Sequence, residues 1–123
     1  KYGFNHEPIT MEKLWFRGEQ MEEELSEYGA ALAAGDSDGV VDALIDLTVF
    51  ALGTLAIAGV DIQEAWDEVH MANMAKERGV KPGRENSGGW DLIKPEGWSA
   101  PEHDGNTGFI DDVFSSPAVR EVR

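Results

Sequence analysis

Cysteine is absent from the chain, which excludes a disulfide framework and any thiolate metal site and makes a reducing compartment the easier reading. Cations are scarce: 10 Lys and Arg stand against 24 Asp and Glu, a net charge of −14 at pH 7. Such a chain lacks the broad basic surface that a nucleic-acid backbone requires, so nucleic acid is not expected as a partner. The balance suits a soluble, cytoplasmic protein that holds divalent cations or is simply well solvated. No basic n-region, apolar h-region and small-residue cleavage site opens the sequence, so no secretory signal is expected. The abrupt start "KYGFNHEP" reads as lacking some native N-terminal residues. There is no internal repeat, and 123 residues allow one domain with a real core rather than two.

What is present is helical pattern followed by an irregular tail. The first helix is expected from about Thr10 to Ala34, after Pro8, with Thr10 as N-cap and "GDSDG", residues 35–39, as its stop. The second runs from about Val40 to Ala58 and is closed by Gly59. The third begins at Asp61, with Glu64 three residues on as a capping box. It ends at Gly79, with Lys76 and Arg78 in its last turn, where cations suit the dipole. Short linkers make consecutive helices antiparallel neighbours, so the fold class is all-α, an antiparallel helical bundle. Residues 1–79 then form a helical catalytic core and residues 80–123 an irregular extension. That extension is crowded with Gly, Pro and Asn, yet it carries Trp90, Trp98, Phe109 and Phe114. Disordered tails are poor in aromatics, so it is expected to wrap on the core or a neighbouring subunit.

The one long apolar run, "VVDALIDLTVFALGTLAIAG" at residues 40–59, approaches the length of a membrane span. Two ionised Asp near a bilayer centre would each cost about 2.5–3.5 kcal/mol, and no Lys or Arg flanks the run closely. A helix apolar on all sides is instead the central helix of a bundle, packed on nearly every side, and no membrane partner is expected.

Asp42 and Asp46 break that helix on one face, about 40° apart at 100° per residue. On the first helix an apolar stripe runs through Leu14, Met21, Leu25, Tyr28 and Leu32. Glu24 borders the stripe, Glu27 lies about 60° further round, and Glu23 points farther out. Arg17 is on the Glu24 side. Taken singly, "EEELSE" reads as a solvated helix face, and the Asp pair as a polar interior bonded to Thr48, Thr54 or Arg17. Together, four carboxylates from two packed helices with too few cations favour hard divalent ions, Mg²⁺ or Mn²⁺. On the third helix Ile62, Ala65, Trp66 and Val69 make an apolar stripe that Asn73 and Lys76 extend. Lys is a point-charge phosphate binder and Asn can bond a phosphate, ribose or base, although Lys76 also reads as an ordinary dipole partner. His70 lies off the stripe and reads as a surface or interhelix residue.

Three blocks carry a family resemblance: "EELSE" with an upstream Arg17, "DALIDL…ALGT", and "EVHMANMAK". With the "KPEGWSAP" segment that follows, the chain resembles the all-α nucleoside triphosphate pyrophosphohydrolases over roughly residues 14–101. This is the MazG-like group, and the likeness is to its phage-borne members, which are similar to phosphoribosyl-ATP pyrophosphohydrolase. The helix-three block is the more specific; E-E-x-x-E alone is weak. One departure stands out: where the wider family has Glu in the E-x-x-D of helix two, this chain has Ala43. Asp46 matches directly, and Asp42 substitutes as in the phage-type pattern.

The resemblance implies metal-assisted cleavage of the α–β phosphoanhydride of a nucleotide, giving the monophosphate and pyrophosphate. Glu24, Glu27, Asp46 and Asp42 would hold Mg²⁺ or Mn²⁺, with Glu23 as an outer-shell base. Lys76, Asn73 and Arg17 would orient the phosphates. Trp15 and "FNHEP" would form part of a base pocket, although Trp15 reads equally as core. A purine deoxynucleotide is expected, dGTP first, as in enzymes of phages that replace adenine with diaminopurine. A homodimer or homotetramer is expected, since the catalytic face of a three-helix unit needs covering. The competing readings are a non-catalytic acidic phage protein, mimicking DNA or occupying a host partner, and a pyrophosphohydrolase for another nucleotide such as dUTP or phosphoribosyl-ATP.

Overall fold

The computed structural model describes residues 9–89 and 91–115. They fall into two compact units, residues 9–62 with 107–115 and residues 63–106.

The first unit is built on two helices. Helix α1 spans Met11–Ala34 and starts where expected: the Thr10 hydroxyl accepts from the Lys13 amide at 3.1 Å. It ends at Gly35, whose φ of 65° turns the chain so that its N–H bonds back to the last turn. The Asp36 amide then reaches the Ala31 carbonyl at 2.9 Å, a left-handed cap that a Cβ would disfavour. Asp36 at once caps the next helix, α2, Ser37–Ile57, by accepting from the Gly39 amide at 3.0 Å. With only this tight turn between them, α1 and α2 fold back on each other as an antiparallel pair. Buried Ala31 and Ala43 let the two backbones approach closely.

The expectation that α2 is packed on nearly every side does not hold within one chain. Val41, Leu44, Ile45, Val49 and Leu52 remain 38–59% exposed, because α1 covers one face of α2 and leaves the other open. Thr48, on the open face, turns its hydroxyl back onto the Leu44 carbonyl at 2.8 Å, so that face presents no unmet hydrogen-bonding group of its own there. Among the described residues α2 is the one helix long and apolar enough to cross a membrane by length and composition.

The unit is closed by the returning chain. The Phe109 amide donates to the Ala58 carbonyl at 2.7 Å, and the ring lies against Gly59. The short helix α4, Ile110–Phe114, follows and buries Val113.

In the second unit, α3 spans Ile62–Met74. It stops five residues short of the expected end at Gly79, for a reason the structure makes plain. The Trp98 indole N–H donates to the Ala72 carbonyl at 2.7 Å, occupying the acceptor that the next helical turn would use. The Lys76 amide turns instead to the Asn73 carbonyl at 3.1 Å. Residues expected in the last helical turn form strand β1, Glu77–Gly79, paired antiparallel with β2, Asp91–Ile93. Trp66, expected in a buried stripe, is 64% exposed. The expectation for Trp90 falls outside the described residues.

Gly108 makes the return of Phe109 possible. Its φ is 55°, and a Cβ there would collide with the Ala58 carbonyl. Gly108→Ala is therefore expected to cost about 1–3 kcal/mol of stability through strain at a left-handed position. Urea denaturation followed by circular dichroism measures it. A midpoint equal to that of the parent would show that the α2–Phe109 closure contributes nothing.

Candidate functional site

Residues 17, 24 and 31 of α1 recur at two-turn spacing and line the face turned to α2. Each meets a different chemistry there. Arg17 lies at the open end of the pair. Its Nε donates to the Thr54 hydroxyl at 2.6 Å and its Nη2 to the Phe50 carbonyl at 3.2 Å, with the guanidinium 5.7 Å from the Phe50 ring. Thr54 in turn donates to the same carbonyl at 2.6 Å. Arg17 is thus committed to holding α1 against α2. Ala31, at the turn end, supplies close packing.

Between these two clamps stands Glu24. It is half-buried, and its Oε2 is sealed from solvent without a hydrogen-bond partner. Its carboxyl is held above the usual carboxylate range, first by burial and next by a hydrogen bond with Glu27. The charges of Glu27, Asp46 and Glu23 add to the effect. Glu24 thus lies within electrostatic reach of Glu23 and Glu27 on its own helix and of Asp46 on α2. Glu23 and Glu27 are exposed, as are Asp42 and Asp46.

Beside the seam opens a cleft of about 460 Å³, lined by Glu27, Asp42 and Asp46 together with Asp36, Ala31 and Gly39. Four carboxylates and no cation face it. Thr48 bonds Leu44 and Thr54 bonds Phe50, so neither offers its hydroxyl proton to the Asp pair. Among the described residues Asp42 and Asp46 have no hydrogen-bonding or ion-pair partner. The polar-interior reading of the pair is thereby removed. Asp36 is the lining residue that sequence reasoning missed. Its place in "GDSDG" marks a helix cap, and nothing in that pattern reveals that the same side chain borders a cleft.

The donor set suits a hard divalent ion. It is all oxygen, crowded enough to raise Glu24, and includes one buried oxygen with nothing to bond. Among the described residues, though, no three of His, Asp or Glu are drawn together closely enough to enclose a metal.

The other expected site residues are placed as follows. Trp15, in the second turn of α1, is 45% exposed. The "FNHEP" stretch lies outside the described residues. In the second unit Asn73 is exposed in the last turn of α3, and Lys76, just beyond it, is half-buried with Nζ 5.2 Å from the centre of the Trp98 ring. Trp98 was legible only as an aromatic in an irregular segment; its bond to Ala72 is what brings it under Lys76.

The family model for phosphoribosyl-ATP pyrophosphohydrolase matches residues 4–73 of the chain. That segment holds α1, α2 and nearly all of α3, and with them every carboxylate described above. No individual curated protein matches the chain.

Repulsion at the seam has a measurable consequence. Because the folded-state pKa of Glu24 is raised, its favourable contribution is complete below the unfolded-state value and is lost as pH rises through the folded one. Glu24→Gln keeps the shape and removes the charge. Urea midpoints of the metal-free protein are expected to converge at acidic pH and to favour the variant at alkaline pH. A variant that is the weaker of the two at alkaline pH would show that crowding does not act on Glu24.

Proposed function

The chain belongs to the phosphoribosyl-ATP pyrophosphohydrolase family, and from that membership we propose that it cleaves the α–β phosphoanhydride of a nucleoside triphosphate, releasing the monophosphate and pyrophosphate. The family is one of nucleotide pyrophosphohydrolases, hydrolases of phosphoanhydrides. The observation that carries the reading is the acidic seam. Glu24, Glu27 and Asp46 crowd one another beside a cleft with no cation to offset them. Asp42 and Asp46 add two exposed carboxylates to the same cleft, with no salt-bridge partner among the described residues.

Glu24, Glu27 and Asp46 are the proposed metal ligands, with Asp42 completing the set. Held by these residues, Mg²⁺ or Mn²⁺ would supply charge neutralisation for the phosphate oxygens and an acidified water at neutral pH. Glu23, exposed beside Glu24, is proposed as the outer-shell base for the proton that the attacking water loses. Arg17 keeps the two ligand-bearing helices in register through Thr54 and Phe50. Asn73 and Lys76 carry the chemistry to orient phosphate oxygens, since phosphoryl transfer depends mainly on positioning and charge stabilisation. Trp15 offers an aromatic face for a base. The substrate proposed first is a purine deoxynucleotide, dGTP, acted on in the cytoplasm, which is the host's if the protein is phage-borne; dUTP and phosphoribosyl-ATP are the alternatives.

A second copy of the chain is the proposed cover for the open face of α2. Residues 47–60 contain no charged side chain, and Val41, Ile45 and Leu52 follow one another along a single stripe at helical spacing. A stripe of this kind is self-complementary about a two-fold axis. A membrane is a poorer cover, because the opposite side of the same helix carries two ionisable Asp and the Arg17 contacts.

Two measurements test these statements. A panel of dNTPs with Mg²⁺ or Mn²⁺, assayed for pyrophosphate, is expected to show release that EDTA abolishes; no release from any nucleotide refutes the enzyme reading. In the same assay Glu27→Gln is expected to lower kcat/KM by more than about 100-fold, since even supporting residues around metals are worth 10–100-fold. Its circular dichroism spectrum should be unchanged. For the assembly, sedimentation should give a multiple of the 13.5 kDa chain mass, and Ile45→Glu should reduce it to the monomer. A parent that sediments as a monomer would leave the α2 face without this partner.

A further inference from the structure

Half of the chain's ten Lys and Arg fall between Lys76 and Lys94, beyond the end of the family match at residue 73. The strand register explains how two of them meet. Glu77 pairs with Ile93, Arg78 with Leu92 and Gly79 with Asp91. Lys76 and Lys94 follow directly outside the last of these pairs, at the open end of the hairpin, where the Lys76 amide bonds to the Asn73 carbonyl and does not continue the ladder. Both ammonium groups also converge on one ring, with Nζ of Lys76 at 5.2 Å and Nζ of Lys94 at 5.1 Å from the centre of Trp98.

Among the described residues neither lysine has a salt-bridge partner. Arg84 has Asp91 at 3.6 Å, but Lys76 and Lys94 have no carboxylate partner, in a protein where acids outnumber bases by 24 to 10. A helix dipole accounts for one cation beyond the end of α3, and not for a second one brought in from another segment. The ring attracts each cation only modestly at an exposed site. Its position is nonetheless fixed by the indole bond to Ala72 at 2.7 Å, which ties the segment after β2 to the end of α3. Lys94 faces two ways: with Lys81, also without a carboxylate partner, it lines a cleft of about 310 Å³ walled by Val80, Pro82, Leu92 and Ile93.

We propose that Lys76 and Lys94, braced on Trp98 at the open end of the β1–β2 hairpin, form a two-point clamp for a polyphosphate anion. Lys81 extends the same positive surface into the adjoining cleft. Trp98 is a positioning residue, and the two ammonium groups make the contacts. The polyphosphate identified is the phosphate chain of the triphosphate or its pyrophosphate product, so this assignment rests on the pyrophosphohydrolase reading for its biological ligand. The binding chemistry itself stands on the two lysines.

The test uses inorganic pyrophosphate as the probe, titrated calorimetrically into the full chain in EDTA and again with Mg²⁺. The parent is expected to bind, and Lys94→Gln, which keeps a polar chain of similar length over the ring, to weaken binding about tenfold, the scale of one hydrogen bond to a charged group. Lys94→Arg should restore most of the affinity, which loss of packing alone would not explain. In turnover assays the same Lys94→Gln change should raise KM for the triphosphate. No pyrophosphate binding by the parent in either buffer, or equal binding by parent and Lys94→Gln, overturns the clamp even if nucleotides are hydrolysed. Binding that depends on Lys94 in a protein that hydrolyses no nucleotide would instead remove the enzyme reading and leave the clamp in place.

Discussion

Withdrawal of the Glu24 carboxyl from water beside Glu27 and Asp46 is the constraint around which the first unit is arranged. Carboxylates brought together while partly withdrawn from water cannot all ionise freely, and Glu24 registers this in its raised pKa and its unbonded Oε2. Something must hold α1 against α2 in spite of it. At one end Arg17 does so, reaching across to Thr54 and to a main-chain carbonyl. At the other, the Gly35–Asp36 turn and the close approach at Ala31 fix the spacing.

The same arrangement explains why the core is so thin. The buried apolar residues are four alanines and Val113, and no large side chain is fully buried among the described residues. The seam cannot be both a polar site and a hydrophobic core, so the large apolar residues of α2 are displaced to its far side. Exposed together, they form an apolar face on the side of α2 away from α1. Site and exposed face are thus two results of one helix having its carboxylates on the side where α1 packs.

Much of this was legible in the sequence, and the parts that were not share a cause. Thr10, Gly35 and the apolar periodicity fixed α1 and α2 to within a few residues, because caps and periodicity act locally. The E-E-x-x-E spacing and Asp46 pointed to acids near the α1–α2 seam, because residues at helical spacing share a face. The depth of burial of α2 was misjudged. An all-round apolar helix says that neighbours are needed, and not whether they come from the same chain. The end of α3 was misplaced by five residues because Ala72 is capped by a tryptophan 26 positions later. No local pattern carries that information. The approach of Lys76 and Lys94 to one ring depends on a hairpin that two three-residue strands in a Gly- and Pro-rich segment do not announce.

The distribution of charge settles how so acidic a protein can handle an anion at all. At physiological ionic strength a charge is screened beyond about 8 Å, so the net −14 matters less to a ligand than the groups it touches. The cleft beside the seam presents Glu27, Asp36, Asp42 and Asp46, and a bare triphosphate brought there meets only like charge. Cations held there, as proposed, would reverse the local sign, and loading of the seam would then precede entry of a phosphate. The lysines of the hairpin are under no such condition: their charge is fixed, unpaired with carboxylate and already of the right sign. Anion binding at the hairpin and anion binding at the seam should therefore differ in their metal dependence, and that difference distinguishes the contribution of each.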